Sequence, residues 1–152
     1  MQSRLQFLKL APGAYKAISG LEVYLHGSGL DLRLLHMIKL RASQINGCAF
    51  CIHMHTKDAR AHGETEERLY LLDAWRESPL YTERERAALA WTESLTHISE
   101  THAPDDVYEE VRKHFSEVET VNLTMLIGMI NLWNRLAISM RSIHPVKKSA
   151  AA

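Results

Sequence analysis

The segment 31–63, DLRLLHMIKLRASQINGCAFCIHMHTKDARAHG, encodes two helices separated by a very short break. Asp31 is a good N-cap residue, and apolar side chains follow it at helical spacing to about Ile45. Asn46-Gly47 is a helix-ending signal, and a second helix begins near Cys48 and continues to His62-Gly63. The segment therefore predicts two consecutive helices joined by a short turn.

The flanking sequence has the same helical character. Helices are predicted to begin at Thr65, at the capping boxes Thr82/Glu85 and Ser116/Glu119, and near Pro104, which suits a first turn. Pro145 is predicted to close the last helix. No stretch alternates apolar and polar residues as a half-buried strand does. We therefore predict a single all-α domain, a bundle of about seven helices over residues 11–144. Residues 1–10 and 145–152 are predicted to be loosely held termini.

Composition excludes several classes of protein. The 152 residues carry 18 basic and 18 acidic side chains, a balance that argues against a nucleic-acid binder driven by phosphate contacts. No apolar run is long enough for a membrane span, and residues 1–10 do not resemble a signal peptide. Two cysteines are too few for a secreted disulfide framework. We expect a cytoplasmic protein that binds neither nucleic acid nor membrane.

Residues 120–134, TVNLTMLIGMINLWN, contain no charge and have apolar residues on nearly every side of a helix. A membrane helix is excluded by the length and by Asn122, Asn131 and Asn134. Burial by the chain's own domain on one side and by a neighbouring subunit on another explains the pattern best. The alternative is the central helix of a monomer.

The chemistry is concentrated on one face of the second helix. Cys48, Cys51, His55 and His62 fall within about 60° of one another around a regular helix. We expect Cys48 in the first turn, where free N–H groups stabilise a thiolate, and His55 one turn after Cys51. In the redox hypothesis, Cys51 attacks a peroxide and Cys48 condenses with the resulting sulfenic acid to give a disulfide.

Two alternatives remain open for these cysteines. In the first alternative, both cysteines bind a metal ion together with His55. A regular helix opposes this, because it separates positions 48 and 55 by about 10 Å along its axis. Otherwise they are buried apolar residues. His62, near a helix end, is expected to interact with the helix dipole, and His26 needs no functional explanation.

The preceding helix has two faces that look suited to burial. Its core stripe consists of Leu34, Leu35, Ile38, Ala42 and Ile45. The opposite side carries His36, Leu40 and Ser43, with the charged Arg33 and Lys39 at its edges. An exposed helix does not need a leucine there, so this side is predicted to be a subunit contact or the wall of an active site. In the second case His36 lies near the thiols.

The run KLRASQINGCAFC (39–51), continued by MHTKDAR (54–60), resembles the core of alkylhydroperoxidase D-like proteins of the carboxymuconolactone decarboxylase superfamily. Residues 66–75, 82–96 and 131–135 are also similar, so the resemblance covers roughly 11–144. It implies an all-helical fold, trimers or hexamers, no cofactor, and peroxidase chemistry with a peroxide substrate and a thiol or dithiol reductant. By position, Cys51 matches the peroxidatic cysteine, Cys48 the resolving cysteine and His55 the proton-relay histidine.

His36 departs from that family pattern, which has a glutamate twelve residues before the first cysteine. His53 also departs, because close relatives often carry an acidic residue there, and we expect it at the surface or an interface. A neutral imidazole at position 36 can pass a proton but supplies no negative charge. The alternative function is therefore a metal- or ligand-binding oligomer, with Cys48, Cys51, His55 and His36 as the metal ligands.

Overall fold

The computed structural model describes residues 2–146, and these form nine α-helices and one 3-10 turn without any strand. The helices are α1 (Phe7–Leu10), α2 (Pro12–His26), α3 (Leu32–Asn46), α4 (Ala49–Ala61), α5 (Glu66–Leu71), α6 (Glu83–Thr96), α7 (Ile98–Thr101), α8 (Asp105–His114) and α9 (Glu117–Ser139), with the 3-10 turn at Leu72–Ala74. The all-α prediction is confirmed. The count exceeds seven by two because α1 and α7, each only four residues long, were not among the predicted helices.

Local capping explains where most of these helices begin. The Asp31 carboxylate accepts hydrogen bonds from the backbone N–H groups of Arg33 and Leu34 at the start of α3. Both predicted capping boxes are present, one at the start of α6 and one at the start of α9. These side chains satisfy N–H groups that have no partner inside the helix, so each start is encoded within four residues.

The end of α9 differs from the prediction. The helix stops at Ser139, several residues before Pro145. Arg141 adopts a left-handed conformation with φ 54°, and the N–H of Ser142 donates to the carbonyl of Ala137 at 2.8 Å. This is a Schellman-type ending that a non-glycine residue provides, and it terminates the helix without the proline.

α3 is the central helix and packs against α4, α6 and α9. Its predicted core stripe is buried except for Ile45, which is half-buried, and the opposite side with His36, Leu40 and Ser43 is buried as well. Lys39 was expected at an exposed edge, but its side chain is only 1% exposed, because α2 covers this part of α3. On this second side, His36 and Lys39 line a cavity, whereas Leu40 packs in the hydrophobic core.

One face of α9 packs on the core through Leu123, Leu126, Ile127 and Ile130. Another face carries an exposed apolar stripe of Val118, Val121, Met125 and Leu132. These four side chains lie within about 60° of each other around the helix. Among residues 2–146, no helix is both long enough and apolar enough to cross a membrane.

The described N-terminal segment contacts the end of α9. The backbone N–H of Arg4 donates to the carbonyl of Met140 at 2.9 Å, which places the N-terminal segment beside the last helix. Residues 147–152, most of the predicted C-terminal tail, lie outside the described residues. Loose attachment of both termini stays a prediction.

Candidate functional site

The two cysteines sit at the turn between α3 and α4. Gly47 adopts φ 70°, and the N–H of Cys48 donates to the carbonyl of Ser43 at 2.9 Å, so the chain reverses within two residues. Cys48 is the N-cap of α4 rather than a residue of its first turn, and its Sγ accepts a hydrogen bond from the N–H of Cys51 at 3.3 Å. The two sulfurs form a disulfide between Cα atoms 5.3 Å apart.

Buried amides fix the turn against α9. The Asn46 Nδ2 donates to the Oδ1 atoms of Asn131 and Asn134 at 2.9 and 2.8 Å, and the Asn134 Nδ2 donates to Ser43 Oγ at 3.0 Å. We call these four residues the asparagine cluster. Its amide groups hydrogen-bond to one another inside the protein. These bonds replace the ones that water makes with the same groups in the unfolded chain. The cluster holds the disulfide turn in place.

His36 and His55 lie together beside the cysteine helix. Their ring centroids are 6.0 Å apart, and their exposed fractions are only 3% and 4%. Neither ring nitrogen of His36, nor Nδ1 of His55, has a hydrogen-bond partner among residues 2–146. Unpaired buried polar atoms are costly, and they concentrate where a protein performs chemistry or binds a ligand.

Burial keeps both imidazoles neutral at physiological pH. It lowers the pKa of His36 to about 4, opposed by the nearby Asp58 carboxylate. It lowers the pKa of His55 to about 3, and the positive charge of Lys39 adds to that effect. An imidazole in its neutral form can accept a proton or bind a metal ion.

The histidines His26 and His62 also lie near His36, at ring-centroid distances of 5.7 and 4.9 Å. We call His26, His36, His55 and His62 the histidine cluster. His26, expected to need no functional explanation, lies in the last turn of α2 and also lines the cavity described below. His53 lies outside the cluster, half-buried, with its ring stacked on that of His144 at 4.7 Å.

Charged side chains that sequence reasoning missed complete the site. Lys39 forms an ion pair with Glu22 of α2, and burial lowers the pKa of its ammonium group to about 8. Glu22 also contacts His26 at 3.2 Å. Asp58 lies three residues after His55, with 3.8 Å between Asp58 Oδ2 and His55 Nδ1. The His55–Asp58 spacing was a readable signal on one helix face, whereas the Glu22–Lys39 contact depends on how α2 packs.

A cavity of about 710 Å³ joins these groups. Of the two cysteines, Cys51 lines it, together with His36, His55 and Asp58. The rest of the lining is mostly apolar and includes Leu5, Phe7, Leu8, Val23, Phe50, Met54, Trp133, Ala137 and Ile143. The cavity lining is thus mainly apolar, and its titratable groups include His36, His55 and Asp58.

The side chains whose donor atoms lie close enough to hold one metal ion differ from the ligands predicted from the sequence. His36, His55 and Asp58 each offer one donor atom, and these atoms lie within 4.8 Å of one another. The two cysteines are bonded to each other in this state. The metal hypothesis had placed Cys48 and Cys51 beside His36 and His55, and had not included Asp58.

Comparisons with known proteins place the chain in a family. Residues 11–94 match the carboxymuconolactone decarboxylase family. Over 140 residues, 92% of this chain and 95% of the relative, it is 44% identical to the uncharacterized protein YdfG of Bacillus subtilis (strain 168).

Two crystal structures show the same fold. ATU0492 from Agrobacterium tumefaciens, a protein of unknown function proposed to be the antioxidant defence protein AhpD, is 52% identical with a TM-score of 0.93, and the match covers 96% of this chain and all of that one. The alkylhydroperoxidase AhpD core of an uncharacterized peroxidase-related protein from Ralstonia eutropha JMP134 has a TM-score of 0.80 at 19% identity, with 91% and 74% covered. The family match and these folds together show that the chain belongs to the carboxymuconolactone decarboxylase family, as a protein with the AhpD-like fold.

Proposed function

We propose that this protein is a thiol-dependent peroxidase that cycles between a Cys48/Cys51 dithiol and the disulfide. The observation that carries the proposal is the disulfide at the start of α4, with Cys51 lining the same cavity as His55 and His36. A dithiol that can close into a disulfide without moving the backbone suits a two-electron cycle. Membership of the family and the AhpD-like fold are compatible with this activity.

Cys51 is the proposed nucleophile because it faces the cavity. Its thiol gives a proton to His55, and the thiolate attacks the terminal oxygen of a hydroperoxide. The O–O bond breaks, Cys51 becomes a sulfenic acid, and the leaving alkoxide takes the proton from His55. The Cys48 thiol then displaces water from the sulfenic acid to form the disulfide, and an external dithiol returns two electrons and two protons.

The neutral state of His55 supports its role as the proton acceptor. When the Cys51 thiolate forms, it adds a negative charge one helical turn from His55, and an opposite charge favours the imidazolium form. His36 occupies the place of the glutamate in the resembling family, and as a neutral ring it passes a proton without stabilising a positive charge. The carboxylates that balance charge near His55 are Asp58 and Glu22.

The cavity lining favours an organic hydroperoxide over hydrogen peroxide. An alkyl or aryl group can bury itself against Phe50, Met54 and Trp133 while its peroxide group reaches Cys51. We expect cumene hydroperoxide to oxidise the dithiol faster than hydrogen peroxide does. The difference should disappear when both reagents react with the unfolded chain.

Two cysteine variants test the assignment. Cys51→Ser should abolish peroxide turnover, whereas Cys48→Ser should allow one rapid oxidation per chain and then stop, because no resolving thiol remains. Peroxide consumption by the pre-reduced proteins, measured without added dithiol, separates the two, since a small dithiol would itself reduce the sulfenic acid of Cys48→Ser. Consumption by Cys51→Ser at the rate of the unmodified protein contradicts the proposal.

A homo-oligomer, expected as a trimer or hexamer, is supported by the exposed stripe on α9. Met125→Glu places a charge inside the stripe and should dissociate the assembly, as measured by light scattering. Ile138→Glu is the matched control, because this side chain is exposed on a different side of the same helix. Equal assembly of Met125→Glu and the unmodified chain would show that the stripe is not the interface.

A further inference from the structure

We propose that His36, His55 and Asp58 form a binding site for a divalent transition-metal ion such as Zn²⁺, beside the disulfide and without a cysteine ligand. The site goes beyond the redox cycle, since it is built from a different set of donor atoms. One donor atom from each residue lies within 4.8 Å of the other two. Two imidazoles and a carboxylate are ligands that zinc and related ions accept, with solvent completing the coordination.

The imidazoles are arranged as ligands rather than as core side chains. His36 is buried, lines the cavity, and has no hydrogen-bond partner for either ring nitrogen among residues 2–146. His55 likewise has an unpaired Nδ1, with Asp58 Oδ2 at 3.8 Å. A cation between these groups would satisfy nitrogens that the protein itself leaves without a partner.

The geometry needs only a small adjustment. Donors around tetrahedral zinc, about 2.0–2.1 Å from the ion, stand about 3.3 Å apart, so the widest pair must close by at most about 1.5 Å. The side chain of Asp58 is 44% exposed and is the one free to move. The positive charge of Lys39 is paired with Glu22 and also interacts with the Asp58 carboxylate, whose Oδ2 lies 3.8 Å from His55 Nδ1.

The oxidised protein provides the decisive test, because its sulfurs are bonded to each other and cannot bind metal. Chelator-treated, fully oxidised protein is titrated with zinc chloride by calorimetry, and we expect one ion per chain. Replacing a residue that only hydrogen-bonds to a metal ligand already weakens metal affinity by about tenfold. Loss of a ligand in His36→Leu or Asp58→Asn should therefore weaken zinc binding by at least roughly tenfold. The partly exposed Asp58 keeps the test valid if His36→Leu fails to fold.

His53→Gln is the control, because His53 and His144 form a rival pair of imidazoles outside the site. This variant should bind zinc as tightly as the unmodified protein. Cobalt(II) bound to the oxidised protein should show d–d absorption without a thiolate charge-transfer band.

The proposal is overturned if the oxidised protein binds no zinc, or if Asp58→Asn leaves the affinity unchanged. It is also overturned if binding needs reduction and is lost in Cys48→Ser, which would assign the metal to the thiols. Any effect of zinc on peroxide turnover rests additionally on the proposed redox role of His55. Binding to the oxidised protein does not depend on that role, so the two proposals can fail separately.

Discussion

The asparagine cluster and the His36/His55 pair of the histidine cluster are both largely buried polar groups beside α3, yet their hydrogen bonding is opposite. In the first, every amide named above donates to or accepts from another member. In the second, three buried ring nitrogens of His36 and His55 have no partner among residues 2–146. Paired polar groups hold helices together, whereas unpaired ones lower stability and are maintained where they serve chemistry. The comparison separates the scaffold of the site from its working groups.

Asn134→Ala should give the largest change in stability. It removes the hydrogen bonds to Asn46 and Ser43, leaves one N–H of the Asn46 amide without its partner and opens a gap in the core, so we expect a loss of about 3 kcal/mol in the free energy of unfolding. Urea denaturation measures the change. Asn122→Ala is the control on the same helix, since Asn122 is equally buried but accepts a single bond from Tyr24, and should lose about 1 kcal/mol. Equal losses in the two variants would contradict a scaffold role for the cluster.

Acid should destabilise the protein through the histidine cluster. The folded pKa values of His36 and His55, about 4 and about 3, lie below the ordinary value of 6.5, so the unfolded chain binds more protons below that pH. Stability is therefore retained above pH 6.5 and falls as the pH drops toward 4. Each histidine should contribute a loss of about 2 kcal/mol between pH 6.5 and 5.

Urea denaturation at the two pH values, in the presence of a chelator, checks this acid sensitivity. His36→Leu should reduce the loss by about half, because one of the two groups is gone. His97→Gln, a change at an exposed helix end, should leave the loss as it is. A pH dependence that is the same with and without His36 would show that its imidazole titrates normally in the folded protein.

The smallest effect is expected for His36→Leu at pH 7.5, and its sign opposes that of Asn134→Ala. Leucine fills much of the space of the ring and removes two unpaired nitrogens, so stability should stay constant or rise by about 1 kcal/mol. Peroxide turnover and zinc binding should fall in the same variant. A clear loss of stability would mean that the ring makes favourable contacts as a structural residue.

Local features of the sequence predicted much of this molecule. Asp31 and the two capping boxes act within four residues, and Cys51 and His55 occupy one helix that Cys48 caps, so spacing alone was informative. Arg141 ends α9 with a backbone conformation that its side chain does not signal. The burial of Lys39 could not be foreseen, because it depends on Glu22 and on α2, seventeen residues earlier in the chain.

The proximity of His36 to the cysteine helix was likewise left open. The spacing of residues along the sequence tells which face of its helix a side chain occupies. The distance between His36 and His55 depends instead on how α3 and α4 cross. The structure sets their rings 6.0 Å apart. Contacts between elements, rather than the elements themselves, were the part that the sequence did not reveal.

The most direct test of the central claim is a single-turnover reaction of the reduced protein with one equivalent of cumene hydroperoxide, followed by mass spectrometry of peptides. We predict one Cys48–Cys51 disulfide per chain within the mixing time of a rapid experiment, and in Cys48→Ser a sulfenic acid on Cys51 that dimedone traps. Oxidation of Cys48 in place of Cys51, or a dithiol that reacts no faster than free cysteine, would contradict the account.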